Sequence, residues 1–147
     1  RPHLKTGPFG SSLKIEHWVE DGHPVITIGA LGEGELIQSE LLYVSDATAQ
    51  RLREYQLEVG DVVFSRVADV GRSAVILDHH KGWIMSSNLM RISLDQAKVC
   101  ASYLQAQLAY DTRVRAQIRA TVNSSGREVA NSQILNRLLF AWPQPDE

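Results

Sequence analysis

Cysteine is all but absent: the lone Cys100 excludes an internal disulfide and fits a reducing compartment such as the cytoplasm. Long apolar runs are missing too. No stretch approaches the roughly 20 residues that a membrane-spanning helix needs, and the first residues lack the basic, apolar, small-residue order of a secretory leader. No membrane partner is therefore expected. The sequence has no internal repeat, no low-complexity segment and no glycine-serine or proline-rich linker, so it reads as one folding unit over residues 1–147. An excess of positive charge is lacking as well. The net charge of -2 excludes a protein coated in bases for indiscriminate phosphate binding.

What is present is an ordinary globular balance, 44% hydrophobic and 22% charged residues in 147, enough for a proper core. The bases are unevenly spread. From Thr112 to Arg127 the chain carries Arg113, Arg115, Arg119 and Arg127 with no acid, a local cationic stretch.

Short runs rich in β-branched or large apolar residues predict strands at Val25–Ile28, Leu41–Val44, Val62–Arg66, Ser73–Leu77 and Leu89–Ile92. A short helix is predicted from Asp46 to about Tyr55, capped by Ser45 or Asp46, with Ala49 and Leu52 inward. Ser93 and Gln96 have capping-box spacing, which predicts a helix behind them with Cys100, Leu104 and Leu108 on its packing face. A break near Tyr110–Thr112 and a resumed helix through Val114 and Ile118 should follow, ending at the turn formers Asn123–Gly126. A last strand is predicted at Ile134–Phe140. The class is α+β: a twisted core of short strands in a mixed or antiparallel sheet, with a few helices.

Recognised enzyme signatures are missing. Gly29–Gly34 has the wrong glycine spacing for a dinucleotide loop and carries Glu33, which would repel phosphate, so a turn is expected. The five histidines lack the spacing of common zinc sites. There is no Pro-Pro for an amino-methyltransferase motif, and none of Lys5, Lys14, Lys81 and Lys98 follows a carboxylate by two residues as a metal-dependent nuclease would need. No catalytic residue, metal or cofactor is expected.

Three stretches together resemble the target recognition domains of type I restriction-modification specificity subunits. They are Gly7-Pro8-Phe9-Gly10-Ser11-Ser12-Leu13-Lys14, leading to Gly22-His23-Pro24-Val25-Ile26; Gly60-Asp61-Val62-Val63-Phe64-Ser65-Arg66, followed by Val70–Ile76; and Ser86-Ser87-Asn88-Leu89-Met90-Arg91-Ile92, with Ser132–Leu138 behind it. Each piece is common, but their order covers almost the whole chain. The resemblance implies loops that enter the major groove of double-stranded DNA and read half of a split target. In a full-length parent it implies methyltransferase (modification) and motor-nuclease (restriction) subunits as partners, positioned by long spacer helices. No such helix is seen at the carboxyl end, so the piece by itself is expected to be a monomer. The closest rival is the recognition domain of a single-chain restriction-methylation enzyme. A protein-interaction or small-ligand module is the rival from another class, and the acidic balance is an argument for it.

Residue chemistry selects the candidates. Arginine suits guanine edges, and asparagine suits adenine. Arg66, Asp69 and Arg72 border one loop between predicted strands, where the acid could orient an arginine or accept from cytosine. The ordinary alternative is a hairpin whose Asp69 and Arg72 pair in solvent. Ser11, Ser12 and Lys14, then Ser86, Ser87 and Asn88, and finally Ser124 and Ser125 are polar runs able to reach phosphates, and equally able to be plain turns. Arg115, Arg119 and Arg127 complete the set as phosphate contacts, with a solvated helix face as their ordinary alternative.

Overall fold

The computed structural model describes residues 3–67, 70–124 and 132–143. In chain order it contains β1 (Leu4–Thr6), β2 (Trp18–Val19), β3 (His23–Ile26), β4 (Leu42–Val44), α1 (Asp46–Arg51), β5 (Val62–Ser65), β6 (Ser73–Val75), β7 (Ile84–Met85), β8 (Leu89–Ile92), α2 (Ala101–Tyr110), α3 (Thr112–Ser124) and α4 (Ser132–Leu135), with short 3-10 turns between them. The fold is α+β. One sheet has the order β1-β8-β5-β6, antiparallel throughout. The other has the order β2-β4-β3-β7, mixed because β3 and β7 run parallel. Among the described residues no helix is long and apolar enough to cross a membrane.

The period-two rule of strands builds the layers. On β5, Val62 and Phe64 face α2, α3 and α4, where they meet Leu104, Leu108, Val114, Ile118, Leu135 and Leu138. Val63 points the other way and joins Ile26, Met85, Leu89, Ala74 and Ile76 between the two sheets. On β3 and β7 the neighbours Val25 and Ile84 turn outward to Leu13, Ala49 and Leu52, which puts α1 on the far face. The layers are thus helices, first sheet, second sheet, α1. The sheets exchange chain directly where β7 runs into β8 through Ser86–Asn88.

Polar groups pin the joints. Asp61 is buried at the entrance to β5; its carboxylate accepts from Glu58 N at 2.8 Å and from Ser93 Oγ at 2.9 Å. Gly60 precedes it at φ +85°, a conformation that suits glycine. Arg91, 2% exposed, lies on the face of β8 turned to the second sheet, and its Nη1 donates to the Glu54 and Gln56 carbonyls. The Gly-Asp turn that figures in the resemblance is therefore a structural joint.

Ser45 caps α1 by accepting from Thr48 N, and Ala49 and Leu52 face inward as expected, although the α-helix stops at Arg51 and a 3-10 turn completes the segment. The break between α2 and α3 falls at Asp111, whose carboxylate accepts from Arg113 N and Val114 N. Three expectations are corrected. No helix starts at Ser93: its hydroxyl is taken by Asp61, Gln96 donates to Val59 O at 2.7 Å, and α2 begins only at Ala101. Cys100 is accordingly exposed just ahead of that helix. The strand expected at Ile134–Phe140 is a helical turn and an extended tail. Ile134, Leu135 and Leu138 are buried at helical spacing, and the tail lends its backbone to glutamines: Gln117 clasps Leu139 and Gln107 clasps Ala141, each through one donor and one acceptor. The strands predicted to reach Ile28 and Leu77 end at Ile26 and Val75.

Candidate nucleic-acid interface

Antiparallel pairing decides which loops meet. Thr6 at the end of β1 lies opposite Met90, Ser65 at the end of β5 lies opposite Leu89, and Ser73 at the start of β6 lies opposite Phe64. One end of the first sheet therefore collects the loop after β1, the connection Ser86–Asn88, and both limbs of the loop between β5 and β6. Hydrogen bonds fix this rim: Gly7 N donates to Leu89 O at 2.9 Å, Arg66 N to Asn88 O at 3.2 Å and Ser65 N to Arg72 O at 2.8 Å. A Cβ on Gly7 would run into the Ser86 carbonyl, so glycine is required for the β1 loop to lie this close.

Between these loops runs an open groove of about 400 Å³, lined among others by Lys5, Phe9, Tyr55, Arg66, Ser87 and Asn88. Among the described residues lining it there are two cations and no carboxylate. Lys5 is already engaged, 2.6 Å from Glu54 and 5.0 Å above the Tyr55 ring centroid; the lysine lowers the Glu54 pKa below its ordinary value. Beside Lys5, the polar lining of the groove consists of Thr6, Arg66, Ser87 and Asn88. Lys5 also borders a second hollow of about 410 Å³ with Arg53, Lys81 and Arg91, but there Glu54 and Glu58 offset the bases, which suits a polyanion less well.

The remaining candidates fall into two groups. Arg72 leans away from solvent: it is half-buried, its Nη2 donates to Ile28 O at 3.1 Å, and its Nε is buried without a hydrogen-bond partner. It shares a cleft of about 220 Å³ with Arg115, Glu33 and Tyr110 on the other side of the same loop. Gly71, at φ +106°, makes that approach possible, since a Cβ there would lie 2.6 Å from Arg115 Nη1. Arg119 is exposed one turn further along α3, whereas Arg113 is bound to Asp111 at 3.2 Å. Ser11 and Lys14 are exposed and Ser12 half-buried on the loop after β1; Ser86 is half-buried and is held through its backbone N to Ile26 O. Ser124 ends α3. Asp69, Ser125 and Arg127 lie outside the described residues.

Sequence reasoning grouped Arg66 with Arg72. The structure divides them between two hollows and joins Arg72 to Arg115 instead. It also adds Phe9 and Tyr55, which were not singled out. Phe9 could have been, since a large aromatic between two glycines and a serine pair has no apolar neighbours with which to form a core. Gly29–Gly34 forms a turn as expected, with Ala30 and Leu31 in the core and Gly34 N donating to Ser73 O. Among the described residues no three histidine, cysteine or carboxylate groups gather as a metal site would require. No protein-family model matches the chain, and no curated protein matches it.

Proposed function

We propose that this protein is a sequence-reading module for double-stranded DNA, similar to one target recognition domain of a type I specificity subunit, and that it supplies no catalytic group itself. The observation that carries the reading is the convergence of the Gly7–Gly10 segment, Arg66 and Ser87-Asn88 on one groove whose described lining residues include no carboxylate, in a chain that is net acidic. These are the stretches on which the resemblance rests, and they meet although they are far apart in sequence. In this reading Arg66 addresses a base edge from the end of a strand, a mount that holds its angle. Arg115 and Arg119 hold phosphates along α3, and hydroxyls and backbone N-H groups of the polar loops share that task. Arg72 braces the loop from behind. The methylating and cleaving chemistry then belongs to the partner subunits of a larger assembly.

The test is fluorescence anisotropy of a labelled duplex at several salt concentrations. The expected result is weak binding whose logarithm falls steeply and linearly with the logarithm of salt, because each neutralised phosphate releases counterions. Binding of a cell protein that ignores salt, with no retention of duplex DNA, would favour the protein-interaction reading.

A further inference from the structure

We propose that His17 is a proton-operated latch on the loop between β1 and β2, closed while its imidazole is neutral and released when it is protonated; the inference stands apart from the DNA reading. The 3-10 turn Ile15–His17 ends this loop. His17 N donates to Lys14 O at 3.0 Å, and Lys14 N donates to His17 Nδ1 at 2.9 Å. The second of these is the return bond of a capping box, which glutamate or glutamine ordinarily supplies three residues after the cap. Those side chains keep their accepting oxygen across the neutral range, whereas an imidazole nitrogen loses its lone pair to a proton there. On its other side the loop is held by α1: Leu13 is buried in one cluster with Ala49 and Leu52, and Arg51 Nη1 donates to Ser12 O at 3.0 Å.

One proton decides the state of the latch. An Nδ1 that accepts from Lys14 N is unprotonated, so the neutral ring carries its hydrogen on Nε2. Arg51 is the charge that α1 brings to the ring, with Nη2 3.4 Å from that Nε2. A second proton turns Nδ1 into a donor aimed at the Lys14 N-H and sets an imidazolium beside the guanidinium, so one hydrogen bond is lost and one like-charge approach is gained. The other charges of the turn, Lys14 and Glu16, are 4.0 Å from each other. The ring must then leave Lys14 N, and Ser11, Ser12 and Lys14 lose the fixed turn behind them. The same placement recurs in the turn Asp78–His80, where Leu77 N donates to His80 Nδ1 at 3.1 Å; that ring is buried against Trp83, whereas His17 is half-buried and open to the proton.

The test is NMR of the whole chain, labelled with nitrogen-15, from about pH 8 to about pH 5. At the upper end the His17 ring should be the Nε2-H tautomer. As His17 titrates, the Lys14 amide proton should move upfield with the same midpoint. Its exchange with solvent, corrected for the intrinsic effect of pH, should quicken about two- to tenfold, the worth of one hydrogen bond. In His17→Gln the Lys14 amide should stay in place over the whole range, because the amide oxygen takes over the accepting role, and in His80→Gln the Lys14 transition should remain. A His17 ring in the Nδ1-H form at the upper end, a Lys14 amide that ignores the titration of His17, or a transition that persists in His17→Gln would overturn the latch. The tautomer and the Lys14 response are read in the wild type, so the proposal can fail even where a variant does not fold.

Discussion

Replacing Asp61 by alanine removes two acceptors at once. The Glu58 N-H and the Ser93 hydroxyl both end on its buried carboxylate, at 2.8 and 2.9 Å. Hydrogen bonds to a charged group contribute about 1.5–3 kcal/mol each, and the stranded Glu58 N-H adds a desolvation cost, so Asp61→Ala should lose about 3–5 kcal/mol. That is a large share of the 5–15 kcal/mol typical of a domain. Asp61→Asn provides the control. Its amide oxygen can still accept from Glu58 N, and its NH₂ can donate to the Ser93 hydroxyl if that group reverses its role, so only the charge assistance is lost, about 1–2 kcal/mol. The assay is urea unfolding followed by the fluorescence of Trp18, Trp83 and Trp142. An alanine variant less than about 1 kcal/mol below wild type, or an asparagine variant as damaged as the alanine one, would refute the view that this residue is a joint between β5 and the segment after β8.

Two further perturbations test the geometry. Gly71→Ala must adopt φ +106°, which costs about 1–3 kcal/mol, while the Arg115 guanidinium can swing away from the new methyl; a loss below about 0.5 kcal/mol in the same assay would contradict the turn. His80 is buried, its Nδ1 accepts from Leu77 N at 3.1 Å, and burial followed by the neighbouring His79 holds its pKa below the ordinary value of 6.5. The unfolded chain therefore takes up this proton first as pH falls. The contribution of neutral His80 is fully present above pH 6.5 and is lost as pH drops through 6.5 toward the lower folded value. The urea midpoint should fall over that window, and the decline should shrink in His80→Gln; an identical decline in both would assign it to other groups.

The architecture was legible where local pattern and tertiary demand agree. Leu89–Ile92 is a strand at its predicted bounds, and Ser45, Ala49 and Leu52 behave as their spacing implies. Sequence reasoning failed where a distant partner outbids a local one. Ser93 and Gln96 could cap a helix, but the turn at Gly60-Asp61 takes both side chains. Ile134–Phe140 is apolar enough for a strand, yet it is next to helices whose Gln107 and Gln117 satisfy its tail. The two- and three-residue strands β1, β2 and β7 carry too little pattern to be seen alone; their neighbours define them. For the site, sequence order named the loops but not which of them share a hollow. The inward lean of Arg72 depends on the Ile28 carbonyl, 44 positions away, which no local rule supplies.

The central claim is that Arg66 reads while α3 grips. The most direct measurement is selection from a randomised duplex library at two salt concentrations, with the wild type, Arg66→Ala and Arg119→Ala side by side. The account predicts that Arg66→Ala loses base preference at one target position, costing about 1–3 kcal/mol there. It predicts that Arg119→Ala weakens all sequences alike and flattens the salt slope by about 0.9. A uniform loss for Arg66→Ala together with altered preference for Arg119→Ala would invert the division of roles, and no enrichment of any sequence by the wild type would contradict sequence reading altogether.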